Sequence, residues 1–393
     1  MIKRIKICDF KSIRELEVTL DPVTVLVGRS GSGKSNFVQA IRFLRNLLLN
    51  HESAINYERG WNHIVPVGEK NPKTHIEVSF SVPGDELEYT YRVTLGGVHG
   101  QPQVTGERLT VGRDVEFSRS KAMSDSWSWD VPPKVAAVPH PVDSPMLGSF
   151  PSLEKVSLAY AALSTGIGYY HFPPSTLDPY RPPSEHAHLH EFLRSIPGLS
   201  DNASNFSEVI RGIIQDFHRP TLRKSLLATL KKVNPDVVAV DLDSLRGSGK
   251  VIVGHTAGGK IFELALEQES DGFRRFYAHL LALYQSPPKL TMVFEEPENA
   301  IFPGALSLLA DEFKAASLEN RGQVILTTHS PMLLDSFEVE NVRVVEMKNG
   351  KTVIGPVSKE QRDAVKDHLL TTGELLTTDP ARIDEGRPAA QPA

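Results

Sequence analysis

A chain of 393 residues, 40% hydrophobic and 23% charged, has the balance of a protein with one large core or two ordinary ones, which excludes a disordered polymer. A formal net charge of -5 excludes a surface coated for nucleic acid, so any DNA contact must be local. The single cysteine, Cys8, excludes an intrachain disulfide and a multi-cysteine zinc site, and no apolar run reaches the roughly 18 residues of a membrane span. The opening "MIKRIKICDFKSI" interleaves charges with isoleucines and reads as a strand, not a signal peptide, so a soluble cytoplasmic protein without a membrane partner is expected.

Ile2, Ile5 and Ile7, then "ELEVTL" and "VTVLVG", predict short strands, the last a buried one that runs into a glycine-rich loop. A helix follows with Phe37, Ile41, Leu44 and Leu48 on one face. From Thr74 to about Val111, "THIEVSFSV", "LEYTYRVTL" and "ERLTV" alternate as antiparallel strands do, with Pro83-Gly84-Asp85 as a turn. Five prolines between 132 and 145, and "PPSTLDPYRPP" at 173 to 183, predict connectors. Between about 186 and 233 the pattern turns helical, with Ser207 expected to cap "EVIRGIIQDF" and a basic helix "TLRKSLLATLKK" after Pro220. "VVAVDLDSL", "KVIVGH" and "KIFELALEQ" return to strands. An amphipathic helix then covers "FRRFYAHLLALY", and the apolar strands "LTMVFEEP" and "GQVILTTHS" flank one more helix.

"GRSGSGKS" at 28–35 fits G-x-x-x-x-G-K-[ST] in the strand-to-helix setting of a phosphate-binding loop. In such a loop backbone amides wrap the phosphates, Lys34 reaches the β and γ oxygens and Ser35 ligates magnesium. Gly28, Arg29, Ser30, Gly31, Ser32, Gly33, Lys34, Ser35 and Asn36 are therefore the candidate nucleotide-binding residues, with ATP and Mg2+ as the expected cofactors. "LTMVFEEPEN" at 290–299 ends a buried strand in two adjacent carboxylates, which are costly in a core and belong at an exposed rim. Glu295 is assigned to the metal and Glu296 to the attacking water; taken alone, the same letters describe a solvated acidic turn. "VILTTHS" brings His329 to the end of the next strand, where a γ-phosphate contact is expected. Ser270, Asp271 and Gly272 open the amphipathic helix, and a plain N-cap is the simplest reading of that triplet.

Taken together, "IKICDFKSI", "GRSGSGKSN", the Ser-Asp-Gly triplet, "FEEPEN" and "TTHSPMLL" resemble the ABC-type ATPase heads of the SMC and RecF superfamily, and more narrowly the compact OLD-like and RecF-like prokaryotic ATPases. The resemblance implies an α/β fold: an ABC-type P-loop NTPase head with an antiparallel β subdomain and a helical insertion. Its parts would be an N-terminal lobe with the P-loop (1–150), a helical insertion (151–235), a C-terminal lobe with signature, Walker B and histidine switch (236–358), and a short helix with a flexible tail (359–393). In that family two heads close over two ATP molecules, so Ser270 and Gly272 would address the nucleotide of the second copy, a role that suits a helix N-terminus. Here a glutamate, Glu295, stands where many relatives carry aspartate, "SDGFR" lacks the second glycine of transporter signatures, and no Q-loop glutamine is identified.

No coiled-coil arm fits between Lys34 and Ser270, and the polar end leaves no room for a Toprim nuclease domain, so any nuclease is expected on a separate protein. The resemblance implies an ATP-dependent homodimer that hydrolyses ATP and regulates a separate effector, a Toprim-type nuclease or a toxin, in phage defence or genome maintenance. The alternative is a RecF-like ATP-dependent DNA clamp for repair. DNA stays open as a partner through Arg223, Lys224, Lys231 and Lys232, although a charge run on a helix is usually a solvated face.

Overall fold

The computed structural model describes residues 1–69, 72–98, 101–121, 127–131, 144–173, 177, 198–216, 218–243 and 250–384. The proline connector at 132–143, most of "PPSTLDPYRPP" and the expected helical run at 186–197 lie outside the described residues. The chain forms two compact units, Met1–Ile167 with Phe337–Ala393, and Gly168–Ser336.

The first unit opens with β1 (Ile2–Phe10), β2 (Ile13–Thr19) and β3 (Val23–Val27), followed by helix α1 (Lys34–Leu49) and two short helices, α2 (His51–Tyr57) and α3 (Trp61–Ile64). Every residue of β3 is buried, Thr24 included, as its otherwise apolar run leads one to expect. Helix α1 buries Phe37, Ile41, Leu44 and Leu48, the predicted face. Strands β4 (Lys73–Ser81), β5 (Glu88–Val98), β6 (Gln101–Val111), β7 (Asp114–Lys121) and β8 (Trp127–Val131) continue as a meander, giving the antiparallel order β2-β1-β4-β5-β6-β7-β8. The meander runs two strands beyond the alternation seen in the sequence. It is tied to the segment after the connector by Glu107, whose fully buried carboxylate accepts from Tyr91 (2.8 Å), from Arg119 (2.9 and 3.0 Å) and from the amides of Met146 and Leu147. Helix α4 (Glu154–Leu163) follows.

The second unit carries β9 (Ile167–Tyr170), a strand within the span expected to be helical, then α5 (Phe206–Gln215) and α6 (Pro220–Val233). The N-cap of helix α5 is Asn205, two residues before the expected Ser207; its side chain does not cap the helix but accepts from the Ser200 amide and donates to the Gly198 carbonyl, both at 2.9 Å. Strands β10 (Val237–Leu242), β11 (Val251–Ala257) and β12 (Lys260–Ala265) form an antiparallel sheet. Helix α7 (Asp271–Tyr284), β13 (Thr291–Glu295), α8 (Pro303–Leu318), β14 (Gln323–Thr327) and the short α9 (Pro331–Leu334) complete the unit. Strands β13 and β14 are parallel with Glu295 opposite Thr327, the helix between them serving as crossover, and β9 flanks β13 on the other side.

The chain then returns to the first unit as the hairpin β15 (Val342–Lys348) and β16 (Lys351–Pro356), turned at Asn349-Gly350 with positive φ at both residues, as a two-residue hairpin demands. β15 pairs in parallel with β3, Val344 opposite Val27. After α10 (Lys359–Lys366) the chain folds back: Ile383 bridges Val357, and buried Gln361 donates to the carboxylate of Asp379 and the carbonyl of Pro380. The chain is thus docked up to residue 384; the expected polar tail, 384–393, lies outside the described residues but for Asp384.

Candidate functional site

In the first unit, β3 delivers the chain to Gly28 and α1 starts at Lys34, so "GRSGSGKS" forms the predicted strand-to-helix loop. Gly33 stands at the helix N-cap with φ 103° and makes no side-chain cap, which leaves the first amides of α1 to an external acceptor. Lys34 is buried, and its ammonium donates to the carbonyls of Gly28 (2.8 Å) and Arg29 (3.1 Å). It lies across the loop it would otherwise neutralise. The Ser32 hydroxyl is buried without a hydrogen-bond partner. Arg29, Ser30 and Gly31 are exposed, and Ser35 follows Lys34 on the first turn. An uncapped helix start, a lysine folded over carbonyls and an orphaned hydroxyl fit a bound phosphate chain. Asn36 turns elsewhere: its amide donates to Ser12 Oγ at 2.6 Å.

In the second unit the fully buried β13 ends at Glu295, and Glu296 follows with φ 48°, held there because its amide donates to both the carbonyl (3.2 Å) and the hydroxyl (3.1 Å) of Thr327. That twist keeps the two acids apart. Glu296 lies half exposed at the rim, 3.6 Å from His329 Nε2, and accepts from Asn299 Nδ2 at 3.0 Å. The structure therefore brings Glu296 and His329 together at the ends of adjacent parallel strands. Glu295 stays buried; its carboxylate accepts from the Tyr169 hydroxyl and lies 3.6 Å from His171 Nδ1.

Three of these residues escaped the sequence reading. Tyr169 and His171 come from β9 and its end, too short a strand for periodicity to announce. Glu298, the third acid of "EEPEN", accepts from Thr328 Oγ1 (2.9 Å) and from the His329 amide (2.7 Å), so it sets the backbone that carries the histidine. Burial raises the Glu298 pKa above the ordinary carboxylate value, against the opposing hydrogen bond from His329.

At the start of α7, Ser270 is the N-cap and its Oγ accepts from the Phe273 amide at 3.2 Å. A Cβ on Gly272 would lie 2.9 Å from the carbonyl oxygen of Ala300, so glycine permits the helix start to touch the loop after the acids. Glu269 and His255 form a buried pair at 2.5 Å just before the cap, with the Phe262 ring stacked on the imidazole. Arg274 and Arg275 turn inward: Arg275 is buried, pairs with Asp271 at 3.0 Å and donates to the carbonyl of Phe172, and Arg274 donates to that of Leu177. On α6, Lys224, Lys231 and Lys232 are exposed, while Arg223 is held by Asp241 at 2.8 Å.

Among the described residues no group of three or more acidic, histidine or cysteine side chains forms a metal cage. A magnesium ion held by one or two protein oxygens and substrate phosphates does not require one. No helix among the described residues is long and apolar enough to cross a membrane.

No curated protein matches the chain. Among solved structures, an SMC head bound to the C-terminal winged-helix domain of ScpA is similar at a TM-score of 0.58 and 17% identity, over 92% of this chain and 99% of the other. An SMC head with an extended coiled coil, bound to the C-terminal domain of ScpA and derived from Pyrococcus furiosus, is similar at 0.56 and 15% identity, over 94% and 99%. The fold is that of an ABC-type SMC head, as the motifs implied. The family model described as "AAA domain, putative AbiEii toxin, Type IV TA system" matches residues 23–335, and the chain belongs to that family of AAA-domain ATPases.

Proposed function

We propose that the chain binds ATP with magnesium and hydrolyses it, that ATP holds two copies together, and that this cycle controls a separate effector protein. The observation that carries the reading is the loop at 28–36, with its uncapped helix start and Lys34 folded over the Gly28 and Arg29 carbonyls. On binding, Lys34 exchanges those carbonyls for the β and γ phosphate oxygens, and the amides from Gly31 to Ser35 close around the chain. When bound, magnesium would neutralise charge on those phosphates, and Ser35 and Glu295 are the residues that would hold it. Glu295 would have to leave Tyr169 to take that role. Glu296 orients the water for in-line attack, fixed by Asn299, and His329 contacts the γ-phosphate, steadied by Glu298. Ser270 and Gly272 meet the nucleotide of the second copy. The family description names a toxin system, which favours an effector of that class over a Toprim-type nuclease.

Light scattering on Glu296→Gln tests the reading. With magnesium ATP the variant is expected to shift from monomer to dimer and to hydrolyse at least a hundredfold more slowly than the unsubstituted chain, as loss of a water-orienting group costs about 10²–10⁴ in rate. Wild-type turnover, or a mass indifferent to nucleotide, counts against the assignment. A second reading, an ATP-dependent DNA clamp, draws on exposed Lys224, Lys231 and Lys232. DNA binding that needs ATP and weakens steeply with salt would favour it.

A further inference from the structure

The hairpin β15–β16 forms the floor of the phosphate-binding loop. A Cβ on Gly28 would lie 2.1 Å from the Val345 carbonyl oxygen, and one on Gly33 would lie 2.0 Å from Thr352 Oγ1, so both ends of the loop rest on the hairpin. Thr352 is 1% exposed. Its hydroxyl lies 2.6 Å from Ser12 Oγ and donates to the Ser32 carbonyl at 3.3 Å, and its amide donates to the Ser12 carbonyl at 3.0 Å. Asn36 Nδ2 in turn donates to Ser12 Oγ at 2.6 Å.

Proton counting gives this chain a direction. A hydroxyl has one proton to give. Thr352 spends its own on Ser32, so Ser12 must donate to Thr352, and Ser12 is free to do so because Asn36 donates to it. The relay runs Asn36 to Ser12 to Thr352 to the Ser32 carbonyl, from the first turn of α1 back into the loop that precedes it. Each hydroxyl polarises the next, and buried chains of this kind hold a single geometry.

We propose that Thr352 is a positioning residue for nucleotide binding, fixing the Ser32–Gly33 peptide so that the loop amides converge on the phosphates. The inference rests on the ATP reading of the loop. Thr352 touches no phosphate; it acts through the Ser32 carbonyl and the bare face of Gly33. A valine there would keep the shape and remove both hydrogen bonds, releasing the loop peptide while the floor stays filled.

The test is equilibrium binding of a fluorescent ATP analogue to the full chain carrying Thr352→Val, Thr352→Ser or Ser12→Ala, with thermal unfolding followed alongside. Thr352→Val is expected to weaken binding about fivefold to tenfold, the weight of one or two buried hydrogen bonds. Thr352→Ser is expected to stay within about twofold of the unsubstituted chain, since it keeps the hydroxyl. Should the valine variant fold poorly, Ser12→Ala set against Thr352→Ser carries the same comparison. Thr352→Val binding as tightly as the unsubstituted chain, or shifting only the unfolding midpoint, overturns the inference, as does a serine that fails to rescue. An unsubstituted chain that does not bind the analogue sinks the ATP reading itself, whereas binding indifferent to residues 12 and 352 sinks only this proposal.

Discussion

His279 lies on the buried face of α7, its Nδ1 bonded to the Arg275 carbonyl at 2.7 Å and its ring packed edge-on against Phe172 and Phe313, with Phe294 tilted alongside. Burial pushes its pKa down to about 4, helped by the nearby Arg275 charge and opposed by the backbone hydrogen bond. The sign follows from proton uptake: between pH 6.5 and 4 the unfolded chain binds a proton that the folded chain refuses. The stability due to neutral His279 is therefore complete above about pH 6.5 and is lost as the pH falls toward 4. Denaturant unfolding at pH 7 and pH 4.5 should differ by about 2–3 kcal/mol from this group, and His279→Leu should remove that part of the slope. An unchanged slope in the variant would show the imidazole titrating normally.

Helix α7 is the element on which the Ser-Asp-Gly triplet and the acids depend, since its N-terminus packs on the loop that leaves β13. Gly272→Ala places a methyl 2.9 Å from the Ala300 carbonyl, backbone that cannot step aside. The expected loss is about 1–3 kcal/mol of stability by chemical denaturation, with the start of α7 displaced. An alanine variant as stable as the parent would mean that the contact is slack. How this element reads in sequence shows where legibility ends. The spacing of Phe273, Phe276, Tyr277, Leu280 and Leu281 is local, so the helix and its Ser270 cap could be predicted; "GRSGSGKS" and "FEEPEN" are local in the same way. The inward turn of Arg275 was not legible, because only a carbonyl at Phe172, about a hundred residues upstream and behind the proline-rich stretch, explains why a charge is buried there. Tyr169, His171 and Thr352 share that character. Their roles come from pairing across long sequence distance, and no period or spacing records it. Fold class was legible for the opposite reason: β3, β13 and β14 are short, wholly buried and mostly apolar runs, followed in turn by the glycine-rich loop, by Glu296 and by Thr328-His329.

For the whole molecule, ligand linkage gives the broadest check on the nucleotide reading. Magnesium ATP at a hundred times its dissociation constant should stabilise the chain by about 2.7 kcal/mol, and Lys34→Ala should abolish the shift. Hydrogen exchange should then slow at residues 28–36 and along β15 and β16 together, since the loop rests on that hairpin. Exchange that slows elsewhere in the chain but not there would point to a different nucleotide site.

The first compact unit is assembled from two stretches of one chain, Met1–Ile167 and Phe337–Ala393, and this sets an order on its making. The phosphate loop is synthesised early, yet Val345 and Thr352, on which Gly28 and Gly33 rest, are translated about 320 residues later, a delay of roughly 15–60 s at ribosomal speeds. A nascent chain carries the loop without its floor for that whole interval. On the proposed nucleotide reading, a product truncated before residue 352 is expected to hold ATP more weakly than the finished protein, because its loop lacks that support.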